Sequence, residues 1–301
     1  MQEEIGEVKI DYTFYSGQDL YSDGDIEDVI LDIVKHDDSY RYTDSRFDNW
    51  AILYHLSRQR ENIVEPMDIK NTDTLLEIGA GMGAVTGALA QKAKKVTCID
   101  LSKRRSLVNA YRHRNMNNIE IFVGNFEDVE ISEKYDVITL IGVLEYAGYY
   151  VNAVNADELF LHKIKNLMNP NAKLYIAIEN RLGMKYFAGY NEDHLCKPFV
   201  GIEGYENSKI KTYSYSELKE LLKESGFENI QFSFPFPDYK LTQCIYDERS
   251  ILDYEVDFSK ENNFDANVTE TFDQLEALKS LRGCEEIKYL ANSFLVEATM
   301  R

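Results

Sequence analysis

The stretch T-L-L-E-I-G-A-G-M-G-A-V-T-G-A-L-A, residues 74–90, decides the fold. A short apolar run leads into a glycine turn, and small residues then continue as a helix. Such a turn aims backbone N–H groups and the positive end of a helix at one point, which seats a nucleotide-shaped ligand. Gly79, Gly81 and Ala84 fit the dinucleotide spacing G-x-G-x-x-G/A. Glu77, two residues before the first glycine, lies outside that fingerprint. The glycine spacing alone leaves the ligand open.

Outward from the turn, strands and helices alternate. No proline falls between Pro66 and Pro170. Strands are expected at 75–78, 95–100, 119–124, 135–142 and 173–180, with helices running to about Lys92, to about Arg114 and over 157–168. Y-D-V-I-T-L-I-G (135–142) is nearly all apolar, as a parallel strand covered on both faces requires. The α/β alternation predicts a doubly wound parallel sheet. Beyond it, 181–213 is irregular and rich in Gly and Tyr. S-Y-S-E-L-K-E-L-L-K-E-S-G-F (214–227) reads as a helix with Ser214 and Glu217 in a capping box and Gly226 just past its end. Strands follow at 230–237 and 292–299, with a helix near 270–281 between them.

Asp100 ends the second strand, 21 residues after Gly79, where an acid hydrogen-bonds the ribose hydroxyls of an adenosine. NAD and S-adenosylmethionine share that ribose. Glu77 would repel a pyrophosphate but can orient an ammonium group, and G-N-F-E-D (124–128) offers a side chain and a backbone N–H to an adenine edge.

Together E-I-G-A-G-M-G (77–83), C-I-D-L-S (98–102), G-N-F-E-D (124–128) and Y-D-V-I-T-L-I-G-V-L-E-Y (135–146) resemble the class I S-adenosylmethionine-dependent methyltransferases, over about residues 73–180. The resemblance implies a Rossmann-like sheet of seven strands with the last antiparallel, supplied by N-S-F-L-V-E-A-T (292–299). It implies S-adenosyl-L-methionine as cofactor and S-adenosyl-L-homocysteine as product. It assigns cofactor binding to Glu77, Gly79, Ala80, Gly81, Gly83, Asp100, Leu101, Asn125, Phe126, Glu127 and Ile141. Asn125 departs from the Asp that many members carry, and its amide can still bond the base. Longer stretches, among them I-E-N-R-L-G-M-K-Y-F-A-G (178–189) and F-P-F-P-D-Y-K-L (234–241), look like a bacterial subgroup associated with glycosyltransferases and surface-polysaccharide synthesis. That likeness implies O-methylation of a sugar hydroxyl or sugar-linked phosphate. A soluble amine or other small molecule, and a non-catalytic cofactor-binding subunit, are the alternatives.

Methyl transfer is an in-line displacement that needs positioning and a base for the acceptor proton. In an open α/β sheet the acceptor lies beyond the carboxyl ends of the strands. The loop after the fifth strand gathers Glu179, Asn180, Arg181, Tyr186, Asp193 and His194 there. His194 and Asp193 are the base candidates, Tyr146 and Glu145 line the pocket, and Arg181 suits a substrate phosphate or carboxylate. The fourth strand lacks the [N/D]-P-P-[Y/F] tetrapeptide of enzymes that methylate base amines of nucleic acids.

Composition bounds the rest. Of 301 residues 44% are apolar and 28% charged, and no apolar run reaches the roughly 18 residues of a membrane span. The acidic N-terminus carries no secretory pattern, and the four cysteines are scattered, which suits a cytoplasmic protein without a metal signature. The net charge of −19 opposes nucleic-acid binding; residues 1–48 supply −10 of it, from fourteen acids against four bases. They read as a solvated face or an entrance favouring a neutral or cationic substrate. F-D-N-W-A-I-L-Y-H-L-S-R-Q-R-E-N-I (47–63) is expected as one amphipathic helix with Trp50, Leu53, Leu56 and Ile63 inward, and His55 and Arg60 towards the ligand. The expected division is a helical cap, 1–72, and a methyltransferase domain, 73–301, with insertions at about 181–213 and 238–290. Oligomeric state is not readable.

Overall fold

The computed structural model describes residues 1–36, 49–151, 153–255 and 268–300. Chain contacts divide it into two compact units, Met1–Leu140 with Leu167–Ala172, and Ile141–Asn166 with Lys173–Arg301. The division does not fall near residue 72: the N-terminal segment and the glycine-turn half share one unit.

In the first unit a hairpin, β1 (Gln2–Ile5) and β2 (Val8–Asp11), precedes α1 (Ile26–His36) and α2 (Trp50–Leu56). Then come β3 (Thr74–Ile78), α3 (Thr86–Lys92), β4 (Lys95–Asp100), α4 (Lys103–Arg112), β5 (Ile119–Val123) and β6 (Tyr135–Ile141). The strand order is β1-β2-β5-β4-β3-β6, parallel from β2 onward. Leu75, Leu76, Val96, Cys98, Ile138 and Leu140 are fully buried. Each large aliphatic among them contributes about 1.5–3 kcal/mol over its exposed state, so the apolar strands supply the driving force. The order reverses at β3, and a doubly wound sheet binds its ligand at that switch point.

The hairpin and α1 were not expected. Residues 1–36 are tied down by charge pairing: Glu27 is wholly buried and pairs with Arg104 (2.8 Å) and Arg105 (3.3 Å) of α4. Asp19 accepts the Lys103 and Arg104 backbone N–H groups at 2.7 and 3.3 Å, placing an acid at the positive end of α4. Ile30 and Val34 of α1 pack with Ile52, Leu56, Met82 and Val108. The acidic segment is therefore not simply a solvated face, although residues 37–48 lie outside the description. So do Phe47 and Asp48 of the expected 47–63 helix, and the remainder of that helix is broken. Ser57 ends α2 by donating its N–H to Leu53 O at 3.0 Å, and its hydroxyl accepts the Gln59 N–H to start a 3₁₀ turn, Arg58–Val64. Ile52, His55, Leu56, Ile63 and Val64 are buried, while Trp50 and Leu53 are half-buried and Trp50 stacks on Tyr54.

The second unit holds α5 (Ala147–Tyr150), α6 (Ala156–Asn166), β7 (Met168–Glu179), α7 (Met184–Phe187), α8 (Tyr215–Glu224), β8 (Phe227–Phe236), β9 (Cys244–Asp247), α9 (Gln274–Ser280), α10 (Ile287–Leu290) and β10 (Ser293–Met300). The first residues of β7, 168–172, count with the first unit. Its order is β7-β10-β8-β9, all antiparallel, with Ser293 opposite Glu179 and Thr299 opposite Lys173. The described residues thus hold ten strands rather than seven, β1, β2 and β9 being the additions. β7 also begins earlier than expected and takes in Pro170 at its exposed start, where a missing N–H is tolerated. The capping box of α8 is present, with Ser214 and Glu217 satisfying each other's backbone N–H groups. The segment 238–290 carries β9, a 3₁₀ turn at Ser250–Asp253, α9 and α10, with 256–267 outside the description. Among the described residues no helix is long and apolar enough to cross a membrane.

Candidate active site

In the first unit the turn after β3 carries three glycines with positive φ: Gly79 (71°), Gly81 (53°) and Gly83 (72°). Only glycine adopts these angles without strain. Gly79 and Ala80 donate their N–H groups to Ile99 O at 2.8 and 3.2 Å. A Cβ on Gly83 would lie 2.3 Å from Asn109 Oδ1, and one on Gly87 would lie 2.7 Å from His113 Nε2, so both glycines let α4 close on the turn.

Asp100, at the end of β4, accepts the Gly81 N–H (2.8 Å) on Oδ2 and the Ser102 N–H (2.9 Å) on Oδ1. The proposed ribose carboxylate is thus fixed by the glycine loop itself, and burial raises its pKa despite the opposing Arg105 charge. Glu77 is buried and accepts from Thr86 Oγ1 at 2.7 Å and Cys98 Sγ at 3.4 Å. Burial lifts its pKa to about 7 against the pull of these two donors. After β5, Asn125 Oδ1 accepts the Glu127 N–H at 3.1 Å, and Phe126 is buried beneath them. Gly124 lies where a Cβ would meet Phe14 at 2.7 Å, so the N-terminal segment packs beside the proposed adenine motif. Leu101, Glu127 and Ile141 are half-buried. His55 and Arg60 have protein partners: His55 Nε2 meets Asp23 Oδ2 at 2.8 Å, and Arg60 lies 4.5 Å over the Tyr54 ring.

In the second unit the predicted loop and the turn after β6 form a charged cluster. Glu145, in the 3₁₀ turn Leu144–Tyr146, and Glu179, at the end of β7, have side chains 1% and 0% exposed. His194 Nε2 lies 3.3 Å from Glu145 Oε1 and 3.9 Å from Glu179 Oε2, and its Nδ1 lies 2.9 Å from Glu192 Oε1. Glu192 Oε2 also accepts the backbone N–H groups of His194 and Leu195, which fixes the loop. The facing carboxylates outweigh burial and hold the His194 pKa well above the ordinary imidazole value, whereas burial raises that of Glu145. Asp193 bridges Lys185 Nζ (3.0 Å) and Lys240 Nζ (2.6 Å) and accepts the Tyr186 hydroxyl. Lys240 also contacts Glu179 Oε1, and Lys185 contacts buried Asp238 at 2.7 Å. The Tyr146 ring stands edge-on to His194 at 5.4 Å.

The structure therefore brings His194, Asp193 and Tyr146 together as a group. Arg181 is committed elsewhere: Nε and Nη2 donate to Glu217 at 2.7 and 2.8 Å, and Nη1 donates to Gly201 O. Sequence reading passed over Glu192, Lys185, Lys240 and Asp238. D-Y-K (238–240) beside F-P-F-P was the available signal, an acid and a base at the end of a strand.

Residues 76–174 match the family described as a methyltransferase domain. With the glycine turn and Asp100 in place, residues 76–174, a third of the chain, are similar to S-adenosylmethionine-dependent methyltransferase domains; the protein is an S-adenosylmethionine-dependent methyltransferase, and S-adenosylmethionine is its cofactor. It is 29% identical to a candidate methyltransferase, YrhH, of Bacillus subtilis (strain 168), over 46% of this chain and 78% of that one. It is 24% identical to the ribosomal RNA small subunit methyltransferase A of Malacoplasma penetrans (strain HF-2), over 68% of this chain and 66% of that one. A chain of the solved Haloferax volcanii complex containing the Trm112 methyltransferase activator shares the fold, with a TM-score of 0.51, 17% identity and coverage of 84% and 95%. A relative named for ribosomal RNA withdraws support from the charge-based exclusion of a nucleic-acid acceptor.

Proposed function

We propose that this chain transfers the sulfonium methyl of S-adenosyl-L-methionine to a hydroxyl of a sugar, or of a sugar-linked phosphate, in a glycan or glycan precursor. The C–S bond breaks, a C–O bond forms, S-adenosyl-L-homocysteine leaves, and the acceptor proton passes to a protein group. The observation that carries the reading is the buried set of Glu145, Glu179 and His194 after β6 and β7, where an α/β sheet takes its ligands. A hydroxyl needs a proton acceptor at the moment of attack, and carboxylates held out of water serve that role. His194, Asp193 and Tyr146 are proposed to contact the acceptor. Arg181 is instead proposed to hold its loop through Glu217.

The acidic surplus around His194 also supports a second reading, an amine acceptor held as ammonium. Labelled cofactor offered to a panel of nucleotide sugars, glycans, amines and RNA separates these readings. Methylation confined to amines or RNA overturns the sugar reading. Asp100→Ala tests the cofactor assignment on its own. Loss of a charged hydrogen-bond partner should weaken S-adenosylhomocysteine binding by about 10- to 100-fold in calorimetry, and unchanged affinity refutes the assignment.

A further inference from the structure

The sequence carries no metal-ligand spacing, yet three separate segments of the second unit converge as one donor set. Ligand atoms of Glu145, Glu179 and His194 lie within 4.8 Å of one another. From this convergence we infer that Glu145, Glu179 and His194 form a binding site for a divalent first-row cation.

Geometry supports this over a plain ion-pair cluster. A charge-assisted N–H···O bond closes to about 2.7–2.9 Å. His194 Nε2 instead stands 3.3 Å from Glu145 Oε1 and 3.9 Å from Glu179 Oε2. Two ligands at about 2.1 Å from one ion stand about 3.0 Å apart at a right angle and about 3.4 Å apart at the tetrahedral angle. The 3.3 Å separation falls in this range, and the 3.9 Å separation lies beyond it, so Glu179 would move inward by a few tenths of an ångström to share an ion. Glu145 Oε2 and Glu179 Oε2 are buried and accept no hydrogen bond, a costly state for a carboxylate oxygen without a cation.

The surroundings agree. Glu192 holds His194 Nδ1 at 2.9 Å, the arrangement in which an outer carboxylate orients a metal-bound imidazole and raises its basicity. Lys240 contacts Glu179 Oε1 and leaves Oε2 facing the imidazole. Five carboxylates, Glu145, Glu179, Glu192, Asp193 and Asp238, stand against three basic side chains, Lys185, Lys240 and His194, an acidic surplus that favours a cation. Two carboxylates and one imidazole suit Mn²⁺, Fe²⁺, Co²⁺ or Zn²⁺, and three protein ligands leave positions for water or an acceptor oxygen. On the hydroxyl-acceptor reading such an ion would bind the acceptor oxygen and acidify it. That clause rests on the proposed function, whereas the binding does not.

The test titrates the full chain with Mn²⁺, followed by loss of the free-ion EPR signal, and with Co²⁺, followed by visible absorption. One equivalent should bind, with imidazole nitrogen coupling in pulsed EPR of the native chain. Glu145→Gln and Glu179→Gln should each weaken binding at least about 10-fold, and Glu192→Gln about 10- to 100-fold. S-adenosylhomocysteine affinity, which reports the first unit, should stay unchanged in all three. Binding of S-adenosylhomocysteine without binding of either metal overturns the site and leaves the methyltransferase assignment standing. Metal binding that survives all three substitutions, or that shows no nitrogen coupling, overturns it as well.

Discussion

Two buried residues of the first unit have displaced proton affinities of opposite sign. Burial raises Glu77 from 4.5 to about 7 and lowers His55 from 6.5 to about 4. Glu77 keeps its proton longer in the folded chain, so its contribution is complete below about 4.5 and is lost as pH rises through about 7. His55 releases its proton sooner in the folded chain, so its contribution is complete above about 6.5 and is lost as pH falls to about 4. Each is worth about 3 kcal/mol at most, and over the shared window they oppose each other. Urea unfolding of the native chain should therefore vary little between about pH 4.5 and 6.5 from these two groups. His55→Gln should expose a fall in stability with rising pH, and Glu77→Gln the reverse; parallel profiles in the two variants would refute the shifts. Cofactor binding offers a second check. A methionine ammonium prefers the Glu77 carboxylate, so S-adenosylhomocysteine affinity should climb as pH rises through about 7, and Glu77→Gln should flatten that climb.

Elements differ in how openly the sequence announces them. α8 was legible because Ser214, Glu217 and Gly226 act locally, within one turn of the helix ends they stop. β6 was legible for another reason: Y-D-V-I-T-L-I is nearly continuous in apolar residues, which a cover on both faces explains. α1 was not legible, because its place depends on Glu27 meeting Arg104 and Arg105 from a distant part of the chain. The carboxylate–histidine cluster was half legible. The loop announced His194 and Asp193, but Glu192, Lys185 and Lys240 gain meaning only once the chain folds back on itself. Glu217 joins both kinds of information, capping α8 and gripping Arg181, and its pKa falls to about 2 mainly through Arg181. Its contribution is present above about 4.5 and lost as acid titrates it. Glu217→Ala should cost about 1–2 kcal/mol at neutral pH, discounted for its half-exposed side chain, and almost nothing near pH 2. Chemical denaturation at the two pH values checks this, and an equal loss at both would refute it.

At the scale of the molecule, two compact units carry two kinds of chemistry. The first holds the glycine turn, Asp100 and the proposed adenine motif; the second holds the carboxylate–histidine cluster. Ligand linkage should reveal the division. S-adenosylhomocysteine at about 100 times its Kd adds about 2.7 kcal/mol to the stability of whatever unfolds with its site. Hydrogen exchange should then slow most over 74–100 and 124–128. Mn²⁺ should instead slow exchange over 142–146 and 179–195. Protection by S-adenosylhomocysteine confined to the second set would overturn the assignment of the cofactor to the first unit.

The place of β10 has a consequence for how the chain is made. β10 is hydrogen-bonded on one side to β7 and on the other to β8, both synthesised well before it. Until Ser293–Met300 leaves the ribosome, β7 and β8 each present a bare edge, and exposed edges recruit foreign strands. A nascent chain stalled before residue 293 would carry a complete glycine turn yet an open sheet. The newborn chain thus holds its glycine turn before its sheet edges are covered.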